Sequence, residues 1–392
     1  MTFPLEIFGL IIRECYDSLL IDLGLVKKGA FDDWKLRAQT LYSCSLTRRG
    51  WDRYAKPLLF HTIVAATDDQ SYRKIHALAN IIRERPDIGR LVKTLLIDAC
   101  IGDPSWIPVT LHGKWLPNLG TLLLFSEAYE DSDHWDLDDP QPHSSNCIAP
   151  RSFYKFLASY RSGVRQLRLY HGVYAHLLHE SDITMALLHA LTQLTNITHL
   201  ELTYDADPGQ TVRYARNPPG SNTLRSLIID YVGLKSIVLN RLITPAVEAN
   251  MSLQKLELLY LSSSKRIQGL RNLLCSCSLS LRELHLDQSD YSTSEAGYAT
   301  HFSLSPLRNL RRIRLEELYP FDTIHLLSTL VTPSTLTHLV LTYRDKYYDG
   351  EQQDGISIEF PWEDLDEILS LTAFPSLSDV DIYKRHPSGD LP

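Results

Sequence analysis

Val92-Lys-Thr-Leu95-Leu-Ile97 sets the spacing that decides the fold: an aliphatic, two residues, an aliphatic, one residue, an aliphatic. The same spacing starts again at Leu119, Val164, Ile197, Leu224, Leu253, Leu281, Leu310, Leu336 and Leu377, which makes ten copies. The steps between starts are 27, 45, 33, 27, 29, 28, 29, 26 and 41 residues, and six of the nine fall within the leucine-rich-repeat period. A unit of this size cannot bury its apolar edge alone, so neighbours must stack. The expected architecture is α/β: a leucine-rich-repeat solenoid with parallel strands on a concave face and helices and loops on the convex face. Such a surface binds rather than catalyses.

Within each copy the aliphatic positions point into the solenoid, and the strand's period of two sends the residues between them outward. The outward set includes Gln166, Arg168 and Tyr170; His199, Glu201 and Thr203; Lys255, Glu257 and Leu259; Glu283, His285 and Asp287; Arg312, Arg314 and Glu316; Asp379, Asp381 and Tyr383. This face is polar, of mixed sign and sprinkled with aromatics, which suits a protein partner better than a lipid or a phosphate backbone. The residues expected to touch a target protein are Arg168, Tyr170, Glu201, Lys255, Glu257, His285, Asp287, Arg312 and Arg314. Among them Arg168, Arg312 and Arg314 have the chemistry to meet a phosphate.

Apolar residues at three-to-four spacing predict helices over 152–160, 182–194, 234–249, 321–330 and 362–371. Prolines in Leu116-Pro-Asn-Leu119 and Phe374-Pro-Ser-Leu377 stop the preceding helix before each strand resumes. Regular repeats close their turn with Asn or Cys three residues after the last aliphatic, and here only Cys100 does so. The solenoid is therefore expected to be irregular. Insertions follow several strands, including an acidic one over 127–139, one over 170–181, a Pro/Gly-rich one over 205–222 and a Tyr-rich one over 343–355. Loops gathered along one rim of a rigid scaffold are where recognition resides.

The 392 residues carry a net charge of −8 and 22% charged side chains, which is ordinary for a folded chain and unlike a general nucleic-acid binder. Cys15, Cys44, Cys100, Cys147, Cys275 and Cys277 form no Cys-x-x-Cys pair and read as buried thiols in a reducing compartment. The apolar start lacks a basic leader, carries Glu6 and has no small-residue cleavage site, so it is a poor signal peptide. No apolar run is long enough to span a membrane. The expected location is intracellular, cytoplasm or nucleus. His176-Leu-Leu-His179-Glu180, with His171 and His189 nearby, matches neither order of a zinc hydrolase. There is no phosphate-binding Gly-rich loop and no Gly-x-Ser-x-Gly elbow. The chain is read as a non-enzyme that needs no cofactor and no metal.

Residues 1–60 do not fit the repeat. Leu5-Glu-Ile-Phe-Gly-Leu-Ile-Ile12 reads as a short helix opened by Pro4 and apolar on nearly every side, so something must cover it. A second helical stretch carries Leu41, Cys44, Trp51, Tyr54, Ala55 and Leu58. Phe3-Pro-Leu-Glu-Ile7, Thr40-Leu-Tyr-Ser-Cys-Ser-Leu-Thr-Arg-Arg-Gly-Trp51 and Arg53-Tyr-Ala-Lys-Pro-Leu-Leu-Phe60 together resemble an F-box. The form is similar to the divergent F-boxes of fungal proteins that precede irregular leucine-rich repeats. The resemblance covers about one seventh of the chain. It implies a small all-helical module docked on a Skp-type adaptor, which links it to a cullin–RING ubiquitin ligase. Carried over by position, the adaptor-facing residues are Pro4, Leu5, Ile7, Ile11, Ile12, Leu41, Cys44, Leu46 and Trp51.

The organisation expected is an F-box-like module over 1–60 and a connecting helical segment over 61–90. An irregular solenoid of about ten strands follows over 91–386, and a tail over 387–392. In the connector, a helix over 68–86 should turn Ile75, Leu78 and Ile82 inward. The implied function is substrate recognition for an SCF-type ubiquitin ligase, with the target held by the repeats. The rival is a ligase-independent protein-binding scaffold whose N-terminus caps the solenoid.

Overall fold

The computed structural model describes residues 39–43, 46, 49–66, 69–98, 107–125, 155–161, 163–169, 196–202, 224–230, 252–259, 267–288, 303–330, 334–344, 346–347, 356–357, 360–370 and 373–385. The predicted helices over 182–194 and 234–249 lie outside these residues, as do the histidine cluster around His176 and the acidic stretch 127–139.

The protein is α/β. Eleven strands form one sheet in chain order, each beside its sequence neighbour: β1 (Thr62–Ala66), β2 (Thr94–Asp98), β3 (Thr121–Phe125), β4 (Gln166–Leu169), β5 (His199–Leu202), β6 (Ser226–Asp230), β7 (Lys255–Leu259), β8 (Glu283–Asp287), β9 (Arg312–Glu316), β10 (His338–Arg344) and β13 (Asp379–Arg385). The pairings are parallel, as in β7–β8 and β9–β10. Strand follows strand without crossover, which is what stacked repeats require and is consistent with a repeat solenoid. Each of the ten spacing copies carries one of these strands.

One strand lies outside the expected set. β1 falls in the segment read as a helical connector, and it pairs with β2 so that Ile63 meets Leu95 and Ala65 meets Ile97. Phe60-His-Thr-Ile63-Val-Ala65 is thus an eleventh copy, with Phe in the first position and Ala in the third. The helix expected over 68–86 is present as α2 (Asp69–Glu84), after α1 (Arg49–Leu59); Ile75 and Ile82 are buried, while Leu78 is half-buried.

A single main-chain device recurs beside the strands. The carbonyl just before a strand accepts two N–H groups from the next repeat: His61 from Lys93 and Thr94, Lys93 from Gly120 and Thr121, Arg282 from Arg311 and Arg312, Thr337 from Ser378 and Asp379. Side chains reinforce it. Asn118 donates to the Arg90 carbonyl at 2.7 Å, Asn309 to the Leu279 carbonyl at 2.7 Å, and Thr335 to the Leu310 carbonyl at 2.8 Å. Each of these sits immediately before the first aliphatic of its copy. The stitching role that regular repeats give to an Asn after the strand is filled here by a polar residue before it.

The chain divides into two compact units. The first, residues 1–166 with 172–186, packs α1, α2, α3 (Pro86–Gly89) and α4 (Ile107–Thr110) with β1–β3. Leu95, Ile97, Leu122 and Leu124 fill its interior, and Phe156 and Tyr160 meet edge to face at 5.3 Å. The Tyr160 hydroxyl donates to the Leu111 carbonyl. Leu96 and Leu123, expected to face outward, are also buried. These strands are apolar on both faces, the usual sign of a sheet covered on both sides.

The second unit, residues 167–171 with 187–392, holds β5–β10 and β13 with α5 (Ile267–Ser276), α6 (Pro320–Ser328) and α7 (Trp362–Ile368). Leu256, Leu284, Ile313 and Leu339 stack in register at its centre, and Leu326, Leu327 and Leu365 from the helices are buried too. In the Tyr-rich insertion β11 (Lys346–Tyr347) pairs antiparallel with β12 (Ile356–Ser357). Tyr343, Phe360 and Trp362 cluster beside it with ring centres 4.5–5.6 Å apart. On β13, the edge strand of the sheet among the described residues, the aliphatics Val380 and Ile382 are 43% exposed.

Candidate functional site

The outward face of β5–β10 and β13 in the second unit carries most of the expected target-binding side chains. Parallel register aligns them in rows. Glu201, Ile228, Glu257, His285, Arg314, Val340 and Asp381 form one row, and His199, Ser226, Lys255, Glu283, Arg312, His338 and Asp379 form the next. Neighbours in a row sit about 4.8 Å apart, close enough for ionised groups to pair across strands.

His285 is the centre of this face. Its Nδ1 lies 3.1 Å from a Glu257 carboxylate oxygen and its Nε2 3.2 Å from a Glu316 oxygen. Lys255 Nζ is 3.2 Å from the second Glu257 oxygen, and Arg314 pairs with Glu316. Three adjacent strands are thereby linked by alternating charges: Lys255, Glu257, His285, Glu316, Arg314. Burial alone would drive the imidazole toward its neutral form, but its contacts with Glu257 and Glu316 win and lift its pKa to about 9. Burial likewise opposes charge on Glu257, yet the bonds to His285 and Lys255 hold it down at about 2. Glu316 is also lowered, for the same reason and against the same burial. His199 behaves oppositely: burial and the nearby Arg168 and Lys255 charges lower its pKa.

The remaining target-facing candidates divide. Glu201, expected outward and open, is only 8% exposed and pairs with Arg168 at 3.3 Å. Arg168 and Arg314 are therefore already engaged by carboxylates, and Arg312 is the exposed guanidinium left for a phosphate among these three. Asp287 is half-buried at the end of β8, and Tyr170 lies outside the described residues. The sequence reading missed His338, whose Nε2 is 3.1 Å from Asp379, and it passed over Glu316 as a contact residue. A period near 28 residues places 257, 285 and 314 side by side, which was the available signal for the network.

In the first unit, Leu41 is buried with Ala55, against Tyr54, Leu58 and Leu59. It serves the local helical core and offers no open face to a partner. Leu46 is 68% exposed and Tyr42 is 55% exposed. Trp51 lies on α1, and Pro4, Leu5, Ile7, Ile11, Ile12 and Cys44 lie outside the described residues. Of the cysteines, Cys277 is buried, which pushes its thiol up to about 12, whereas Cys275 is exposed.

Among the described residues no helix is long and apolar enough to cross a membrane, and no group of three or more His, Cys, Asp or Glu is placed to hold a metal. Compared with known proteins, the chain matches no family model and no curated protein.

Proposed function

We propose that this chain is a recognition subunit of a cullin–RING ubiquitin ligase. Its N-terminal segment would bind a Skp-type adaptor, and the outward face of its parallel sheet would bind a target protein. The observation that carries the binding half is the outward face itself: in-register side chains of both signs, with His285 at the hub, exposed Arg312 on the next strand, and exposed Asp379, Asp381 and Tyr383 three strands on. Mixed charge with apolar gaps at Ile228 and Val340 is the composition of a protein-contact surface. The adaptor half rests on the F-box resemblance, and the exposure of Leu46 and Tyr42 supports it, since large apolar side chains in the open call for a partner. Such a subunit needs no catalytic group. It holds a target lysine near the ligase's ubiquitin-bearing partner and raises its effective concentration.

The test is co-purification with a Skp-type adaptor, comparing wild type with Leu46→Asp and with Leu5→Asp/Ile11→Asp. Capture by wild type and loss in both variants, with circular dichroism unchanged, is the expected result. A folded wild type that captures no adaptor would refute the ligase half. One observation favours the scaffold alternative: α1 is followed after two residues by β1, as a helix capping the first repeat would be. On that reading neither the wild type nor Leu46→Asp captures the adaptor, and both stay folded.

A further inference from the structure

A second surface of the second unit has a different chemistry. Along the N-terminal edge of its strands runs a groove of about 620 Å³, and none of the side chains lining it is acidic. Arg225, Arg282 and Arg311 line it, each standing immediately before a strand and each exposed. Their main-chain groups are fixed by the forked carbonyl ladder, so the three Cα positions are rigidly spaced. None of the three guanidiniums has an ion-pair or hydrogen-bond partner among the described residues. In a chain of net charge −8, three open arginines in a groove whose lining holds no acidic side chain form a local concentration of positive charge that the fold itself leaves unused.

We propose that this groove binds an extended peptide segment bearing two phosphorylated side chains about three residues apart. Arg282 and Arg311 precede neighbouring strands, about 4.8 Å apart, and together make a clamp for one phosphate. Arg225 precedes β6, two strands from β8 and thus about 10 Å from Arg282, which three residues of a chain in the extended polyproline II form span with both side chains on one face. Gln254 stands between them in the row and supplies an amide donor. The hydroxyls of Ser252, Ser280, Thr335 and Thr337 already donate to main-chain carbonyls, so anion contact falls to the guanidiniums and amides. Leu279 is 67% exposed in the same groove and gives an apolar side chain of the ligand a place to rest. Nucleic acid fits less well. The row ends in uncharged Thr198 on one side and in Thr337 and Ser378 on the other, so the basic track is too short for a phosphate backbone. This inference does not depend on adaptor binding.

Fluorescence anisotropy with the full chain tests it. The probe is a fluorescein-labelled peptide with phosphoserines three residues apart and a leucine between them; the comparisons are the same peptide with serine, the same with glutamate, and an oligothymidylate. Saturable binding of the phosphopeptide is expected, with the glutamate peptide weaker and the serine peptide silent, and the affinity falling as salt rises. Arg282→Ala/Arg311→Ala should weaken binding by about tenfold or more, Arg225→Ala less, and Arg90→Ala not at all. Because these guanidiniums form no ion pair or hydrogen bond with a described residue, the variants should keep the wild-type circular dichroism. Arg282→Lys/Arg311→Lys, which keeps charge but loses the fork, should fall between. Equal binding of the serine or glutamate peptide, undiminished binding by the folded double alanine variant, tighter binding of the oligothymidylate, or no binding of the phosphopeptide would each overturn the proposal.

Discussion

His285 ties three strands together through its charge, so removing that charge should loosen the second unit in a pH-dependent way. The imidazole titrates at about 9 in the folded chain against 6.5 for an unperturbed histidine. Each pH unit of difference is worth about 1.4 kcal/mol, so the charged state contributes roughly 3 kcal/mol in favour of the fold. Because the folded pKa is the higher one, the contribution is complete below about 6.5 and drains away as pH rises through 9. The side chain is only 14% exposed and its two carboxylates 20% and 16%, so solvent screening takes little from this figure. The coupling is shared with Glu257 and Glu316 and counts once, not once per partner. His285→Gln keeps a donor but no charge, and leaves Glu257 and Glu316 facing a neutral group. Urea titrations near pH 6 and near pH 10 should show the variant weaker by about 2–3 kcal/mol at the lower pH and by under about 1 kcal/mol at the higher. A histidine Cε1 proton resonance that is lost in the variant and titrates near 9 would report the site directly. A wild-type-to-variant difference equal at the two pH values, or a His285 resonance with its midpoint near 6.5, would refute the reasoning.

Leu284→Ala empties a fully buried position that lies in register between Leu256 and Ile313, and thermal unfolding should show a loss of about 3 kcal/mol. Gly113→Ala would drive a methyl into the Ser159 carbonyl, whereas the nearest atom to the same methyl at Gly120 is the Lys93 carbonyl oxygen 3.8 Å away. The first change should cost about 1–3 kcal/mol and the second well under about 1 kcal/mol, read from paired urea curves. In native protein treated with iodoacetamide near pH 8, mass spectrometry should find Cys275 alkylated and Cys277 untouched, because burial holds the Cys277 thiol protonated.

The strands were legible wherever the three aliphatics kept their spacing, because that spacing records burial directly. β1 escaped because Phe60 and Ala65 replace aliphatics at the first and third positions; the register with Val92, Leu95 and Ile97 shows that volume there is adjustable while position is not. Spacing says nothing about what lies on either side of a strand. Leu96 and Leu123 are buried on the face expected to be open, and Val380 and Ile382 are open on the face expected to be buried. Neighbouring elements decide both cases, and a local motif does not contain them.

The candidate face was legible as a list of outward residues, and its chemistry was not. Glu257, His285 and Arg314 are brought side by side by steps of 28 and 29 residues, but the pair that forms across β8 and β9 is diagonal, from His285 to Glu316. Once Glu316 has turned toward His285, Arg314 follows it, and Arg168 is drawn to Glu201 in the same manner. Cations that looked available along the strands are thereby consumed by their own sheet. Apart from Arg312, the arginines that stay open stand one position earlier, at the turn, where the main chain is fixed by two hydrogen bonds per carbonyl and no carboxylate lines the groove. Repetition places a residue at that position in every copy, and only the choice of side chain turns a structural rung into a basic groove. The separation of a self-satisfied charged face from an unsatisfied basic edge is therefore a property of register: a shift of one residue in any of β6–β9 would turn its buried aliphatics outward and drive its charged residues into the core.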